Sequence, residues 1–192
     1  MVPGFLAFGL LQGGPCGAAT EGAPFLRVVE AVNRGVSFMG QYQYGPAVEA
    51  FQTALQAEPG LATAKINLAI ARFNRNRKED RDLESAQSLL EQVLQKEPDN
   101  VRALYFKGVM LQHIGKAEGA VPCFERVVQK VPEDGAAWYL LGVCRQRMGQ
   151  SGEPEMLRAL QCRPYLFSAC YNLSQIALRA GKEEQARQFL EQ

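Results

Sequence analysis

The feature that most constrains this chain is a proline that returns at nearly even intervals. Pro59, Pro98, Pro132 and Pro164 are separated by 39, 34 and 32 residues. The first three close similar stretches, Phe51–Pro59, Leu90–Pro98 and Phe124–Pro132, each of which reads as the last turns of a helix. Proline lacks the N–H that a continuing helix needs, and its ring clashes with the preceding turn, so each one marks a stop followed by a reversal. Upstream of each stop stand a small residue and, four positions later, a bulky one: Ala47 and Phe51, Ala86 and Leu90, Ala120 and Phe124. A spacing of four puts both on one helix face, and the small member lets a second helix come close.

That second helix opens each unit. Gly35, Ala69, Gly108, Gly142 and Ser174 occupy one recurring slot. A glycine inside a helix costs about 1 kcal/mol relative to alanine, so its recurrence points to close backbone approach. Between the helices, Gln41-Tyr42-Gln43-Tyr44, Gly115-Lys116, Gly149-Gln150 and Gly181-Lys182 suit short turns. The spacing predicts ten helices in five antiparallel pairs, at about 25–39 and 46–57, 61–74 and 82–96, 100–114 and 117–130, 135–148 and 153–162, and 166–180 and 183–191. No stretch alternates with period two for long enough to suggest a sheet.

This order of small, bulky and proline positions resembles the tetratricopeptide repeat family, a 34-residue helix–turn–helix unit. The resemblance covers Val28 to Gln192, in repeats at about 28–59, 62–98, 101–132, 135–164 and 167–192. It is strongest around Gly108, Ala120, Phe124 and Pro132, and around Trp138, Leu141 and Gly142. The second unit departs from it by five extra residues within the charged stretch 75–82. The fourth is two residues short, carries Pro154 and lacks the usual alanine. The segments 33–40, 66–75 and 164–171 are also similar to the repeats that precede a β-propeller in bacterial proteins ending in an ASPIC/UnbV-type domain. That likeness implies the repeat part of a larger protein, in which it positions another domain.

The family implies an all-α, right-handed superhelix, since one helix pair cannot bury its apolar face and successive pairs must share a core. Its first helices line a concave groove. The chain reaches Gln192 inside a helix whose apolar face needs covering, so a further domain, a second copy or the N-terminal segment is expected there.

Carried onto the family's groove positions, the fifth position of each unit reads Val32, Ile66, Tyr105, Tyr139 and Tyr171. Around the three tyrosines fall Arg102, Gln112, His113, Gln146, Arg147 and Arg179. Tyrosine offers contact area with a polar tip, and arginine grips carboxylates through paired hydrogen bonds. The expected partner is therefore a peptide or protein with acidic and apolar side chains. The alternative is that the tyrosines pack between successive first helices. The lysine–asparagine pair of the chaperone-binding carboxylate clamp is absent, Val32 and Val36 standing in those places.

Reaction chemistry is hard to assemble from what is left. Lys+Arg total 21 and Asp+Glu 20, a net charge of +1 that gives no reason to expect nucleic acid or an anionic membrane. The lone histidine, His113, stands near a helix end beside no recognisable metal or base partner. The five cysteines form no C-x-x-C, and Cys162 and Cys170, flanking the Pro164 turn, are the one pair worth testing as a disulfide. Neither Gly13-Gly14 nor residues 149–152 precede the Lys-Ser/Thr of a phosphate loop. A non-enzymatic scaffold without cofactor or metal is expected. Residues 1–24 contain a single charge, Glu21, and an apolar run followed by small residues. They read either as a secretory signal cut after Ala19, giving an exported protein, or as an unstructured tail on a cytoplasmic one; a lipid attachment at Cys16 is disfavoured by Pro15.

Overall fold

A computed structural model describes residues 22–75 and 80–191. The signal-like segment with Cys16 and Ala19, the pair Gly13-Gly14, and the centre of the charged insertion lie outside the described residues. Among them are ten helices and no strand: α1 (Gly22–Gly40), α2 (Tyr44–Ala57), α3 (Ala62–Arg75), α4 (Asp80–Lys96), α5 (Val101–His113), α6 (Ala117–Lys130), α7 (Gly135–Arg147), α8 (Glu153–Cys162), α9 (Phe167–Arg179) and α10 (Glu183–Leu190). Each predicted helix is present within three residues of its expected bounds. The largest shift is at α1, which begins at Gly22 because Pro24 falls in the first turn, where a missing N–H is harmless.

The two kinds of turn repeat almost atom for atom. Inside a unit, the N–H beyond the turn residue reaches back five positions: Gln43 to Phe38, Lys116 to Leu111, Gln150 to Arg145 and Lys182 to Ala177, at 2.9 Å in every case. This closure needs a left-handed residue, supplied by Gly115, Gly149 and Gly181 and, in the first unit, by Tyr42. Between units, the residue before each proline closes its helix, and the residue three further on donates to that residue's carbonyl: Leu61 to Glu58, Asn100 to Glu97, Asp134 to Val131 and Leu166 to Arg163. Asn100 and Asp134 then cap α5 and α7 through their side chains, whereas α9 begins at Leu166 with no side-chain cap.

The recurring glycines are close-packing positions. A Cβ on Gly35 would lie 2.5 Å from the Phe51 ring, one on Gly108 2.8 Å from the Phe124 ring, and one on Gly142 2.8 Å from the carbonyl oxygen of Gly152. In the first and third units the bulky residue of the second helix, Phe51 or Phe124, therefore fills the space that the glycine of the first helix leaves empty.

Consecutive helices touch throughout the order, and α1 meets α3, α3 meets α5, and α5 meets α7. The pairs thus stack in chain order into a right-handed superhelix with the first helices side by side. Four apolar clusters run along it and share bridging side chains: Val32 and Leu55, then Met39 and Leu89, then Leu94 and Val109. The fifth, built on Met156, Leu160, Ala169, Cys170 and Leu173, shares none of these bridging residues. Polar ties cross the stack as well. Arg145 on α7 reaches Glu125 on α6 at 3.0 Å and the buried Glu155 on α8. Asp82, also buried, receives Arg75 at 2.6 Å across the insertion.

Candidate functional site

From the second unit on, the first helices end in polar residues, and their positions follow directly from the repeat. Residues at the fifth, ninth and thirteenth places of a unit lie on one face, four apart. In the last three units these are Tyr105, Val109 and His113, then Tyr139, Val143 and Arg147, then Tyr171, Gln175 and Arg179. The same places in the first two units read Val32, Val36, Gly40 and Ile66, Ile70, Asn74. An apolar N-terminal half therefore gives way to an aromatic and cationic C-terminal half.

The three tyrosines do not share one environment. Tyr105 is half-buried, its ring edge-on to Phe106 at 5.5 Å and to Phe124 at 6.0 Å. Burial raises its phenol pKa, with the Asp134 carboxylate pushing the same way. It is a packing residue, its ring set against Phe124 on the second helix of its own unit. Tyr139 is intermediate: its ring borders the last apolar cluster, and its hydroxyl accepts a hydrogen bond from Asn172 Nδ2 at 3.0 Å. Tyr171 is 58% exposed.

Arg102 and Gln112 sit away from the open part of the face. Arg102 donates to the buried Asn67 side chain, tying α5 to α3. The carbonyl of Gln112 receives Arg147 Nη1 at 2.7 Å, which ties α7 to α5 and leaves the rest of that guanidinium outward. The other five predicted residues, Tyr139, Gln146, Arg147, Tyr171 and Arg179, line a single open concavity of about 650 Å³ between α7 and α9. It lies where successive first helices approach each other least. Sequence reasoning missed Asn172, Gln175, Gln150 and Ser151 in its wall. Asn172 and Gln175 stand one and four residues beyond Tyr171 on the helix, so a face argument drawn around that tyrosine would have included them.

The lining contains two arginines and no carboxylate. Arg179 makes no ion pair among the described residues, in contrast to Arg126 and Lys130, which both pair with Asp99, and to Arg145, which pairs with Glu125 and Glu155. The site is electropositive without being neutralised from within.

Other candidate chemistry is scattered. His113 lies edge-on to Phe73 at 5.2 Å, at a helix end. Cys123, Cys144, Cys162 and Cys170 are free thiols, so the Cys162–Cys170 bridge is not formed; Cys170 is buried in the last cluster, and Cys162 lies 3.5 Å from the carbonyl of Pro132. Burial pushes the Cys144 thiol up to about 11 and raises that of Cys123, which keeps both protonated and unreactive. Among the described residues no three His, Cys, Asp or Glu side chains group as a metal site would need, and no helix is long and apolar enough to cross a membrane.

Two matches to family models for the tetratricopeptide repeat cover residues 78–142 and 167–192. Over those two stretches the chain carries tetratricopeptide repeats. Among solved structures it is similar to a fragment of MamA, residue 41 to the end, from Desulfovibrio magneticus RS-1. The identity is 22%, the TM-score 0.74, and the match spans 86% of this chain and 92% of that one. It is similar also to PilF of Pseudomonas aeruginosa, with 17% identity, a TM-score of 0.79, and coverage of 87% and 75%. At these identities the likeness concerns the fold. No curated protein sequence matches the chain.

Proposed function

We propose that this tetratricopeptide repeat chain is a non-catalytic interaction scaffold, and that it holds a segment of a partner protein in the concavity between α7 and α9. The observation that carries this reading is the contrast between Tyr105 and Tyr171. They hold the same repeat position, yet one ring is packed away while the other is exposed in a recess that Arg179 also lines. A recess lined by an exposed aromatic and an arginine with no ion-pair partner has the composition of binding hot spots.

The test is a selection of displayed random peptides against the whole chain. Peptides enriched on the native chain should lose binding by about tenfold or more on Tyr171→Ala, the scale of a single hot-spot residue. They should be indifferent to Arg158→Gln on α8, outside the lining. Selected peptides that bind both variants as well as the native chain would refute the site.

A second reading is supported by a different surface. Phe167 is 73% exposed, and Leu178 and Leu190 are exposed on the same helix pair. Docking of another folded domain, or of a second copy, against α9–α10 would cover them. Sedimentation that depends on concentration, and ceases to do so on Leu178→Ser with Leu190→Ser, would favour a second copy.

A further inference from the structure

The two ends of the stack carry complementary surfaces, separate from the concavity. The first is the turn from the fourth unit into the fifth. The residue after each inter-unit proline is exposed in every case: Gly60, Asp99, Glu133 and Tyr165. Glycine and the two acids suit water there. Tyr165 instead puts an aromatic ring, 78% exposed, at a place that faces solvent wherever the turn occurs. Leu166 follows where Asn100 and Asp134 cap their helices, and Phe167 after it is exposed as well. This turn has exchanged a cap and a polar tip for apolar side chains. Its backbone is still closed like the others, Leu166 N–H donating to the Arg163 carbonyl at 3.1 Å. The ring is therefore carried on a fixed support, which lowers the entropy lost when it is bound.

The second surface is a groove at the other end, between α1 and the start of α3. Phe25, Val29, Val32 and Leu61 line it, and its volume is about 220 Å³. An apolar cavity of about 150 Å³ accepts benzene, so this groove has room for one aromatic side chain. Phe25 and Val29 are exposed, leaving apolar surface that such a ring would cover.

Charge selects the pairing. Glu58 is the one charged residue in the groove lining, and Arg163 is the one charged residue in the turn 163–167. Neither makes an ion pair among the described residues. A basic turn and an acidic groove are matched for encounter. Contacts run between helices near in order, which sets the turn and the groove at opposite ends of one chain. The partner that brings them together is a second copy.

We propose that Tyr165 of one copy enters the α1–α3 groove of another, with Arg163 set against Glu58. The contact is heterologous: each copy keeps a free turn at one end and a free groove at the other. Association then continues head to tail, into a ring or an open chain.

The experiment is sedimentation velocity of the full chain over a range of concentrations. The average mass should climb past that of a dimer as concentration rises. Tyr165→Ser and Val29→Lys, both at exposed positions, should each weaken association by about tenfold or more, the scale of a hot-spot residue. Mixed together, these two variants should give a one-to-one dimer and nothing larger, since one supplies an intact groove and the other an intact turn. Glu58→Arg and Arg163→Glu should each be impaired alone by like charges, and should assemble severalfold more tightly when mixed. That recovery should fade as salt rises. A misfolded variant could not recover in a mixture, so the mixtures separate lost contact from lost fold. A native chain that stays monomeric overturns the proposal and leaves the groove to another occupant. Assembly that persists in Tyr165→Ser, or charge variants that stay impaired when mixed, overturns it too. Assembly lost on Leu178→Ser with Leu190→Ser but kept on Tyr165→Ser overturns it in favour of the α9–α10 face. Tyr171→Ala, in the concavity, should leave self-association unaltered.

Discussion

The third repeat and the last one are built from one pattern and come out differently. In the third, α5 is capped by Asn100, Gly108 receives the Phe124 ring, and the apolar cluster shares Leu94 and Val109 with its neighbour. In the last, α9 has no side-chain cap, Ser174 stands in the glycine's place and bonds to Tyr171 O at 2.8 Å, and the cluster shares no bridging residue with those before it. The preceding helix α8 has 10 residues against 14 for α2 and α6, so α9 has less to lean on. Less burial leaves Tyr171 exposed and opens the recess beside it. The proposed binding surface thus lies where the stacking weakens: the repeat with less cohesion is the one that has side chains to spare.

This comparison can be broken by a pair of deletions. Phe124→Ala removes a fully buried ring at the centre of the stack and should cost about 3–5 kcal/mol in denaturant unfolding. Phe189→Ala, on half-buried α10, should cost less than half as much and leave the midpoint of α1–α7 unfolding in place. Equal losses would mean that the last pair is as integral as the third.

Hydrogen exchange gives the next effect. Amides of α9 and α10 should open at least about 2 kcal/mol more easily than those of α5–α7, since local opening follows buried apolar contact. Uniform protection along the ten helices would contradict the split in the core.

A matched substitution sharpens the same point. Gly115 and Gly181 have φ of +79° and +72° with open space where a Cβ would go, so alanine meets backbone strain alone. The intrinsic cost is about 1 kcal/mol in each. Gly115→Ala should lower global stability by that amount, whereas Gly181→Ala should show mainly as faster exchange in α9–α10.

The smallest effect concerns acid. Lys130 and Arg126 hold the Asp99 carboxyl below its ordinary 3.8, chiefly by hydrogen bonds from Lys130 and then Arg126. A lowered folded-state pKa means the ionised form is favoured by folding, so the contribution is complete above 3.8 and is lost as pH falls through the lower value. The group is on the surface, so Asp99→Asn should flatten this part of an acid titration only slightly.

Much of the fold could be read from residues because it is enforced locally and repeatedly. Prolines stop helices, glycines face bulky rings, and left-handed turns want glycine; each rule acts within one unit, and the stack multiplies it. Tyr42 is the exception, a large residue with φ of 59° in the turn where the other units have glycine. The site was legible only in part. Position five of each repeat predicted a stripe of tyrosines, but whether a ring is packed or exposed depends on the neighbouring unit. Tyr105 has Phe124 and Phe106 against it, and Tyr171 has no equivalent. Arg102 and Arg147 looked alike as groove cations, yet Asn67 on α3 engages the first, and only long-range contact reveals that. The five-residue insertion in the second unit was visible as a spacing of 39, while the Arg75–Asp82 bridge across it depends on how the two helix ends meet.

The most direct measurement is backbone amide NMR of the isotope-labelled chain titrated with a peptide selected on the native chain from the random library. Shifts should concentrate at residues 143–151 and 171–179, with α1–α3 and the outer faces of α6 and α8 unchanged. Shifts confined to the second helices, or spread evenly over the whole superhelix, would contradict it.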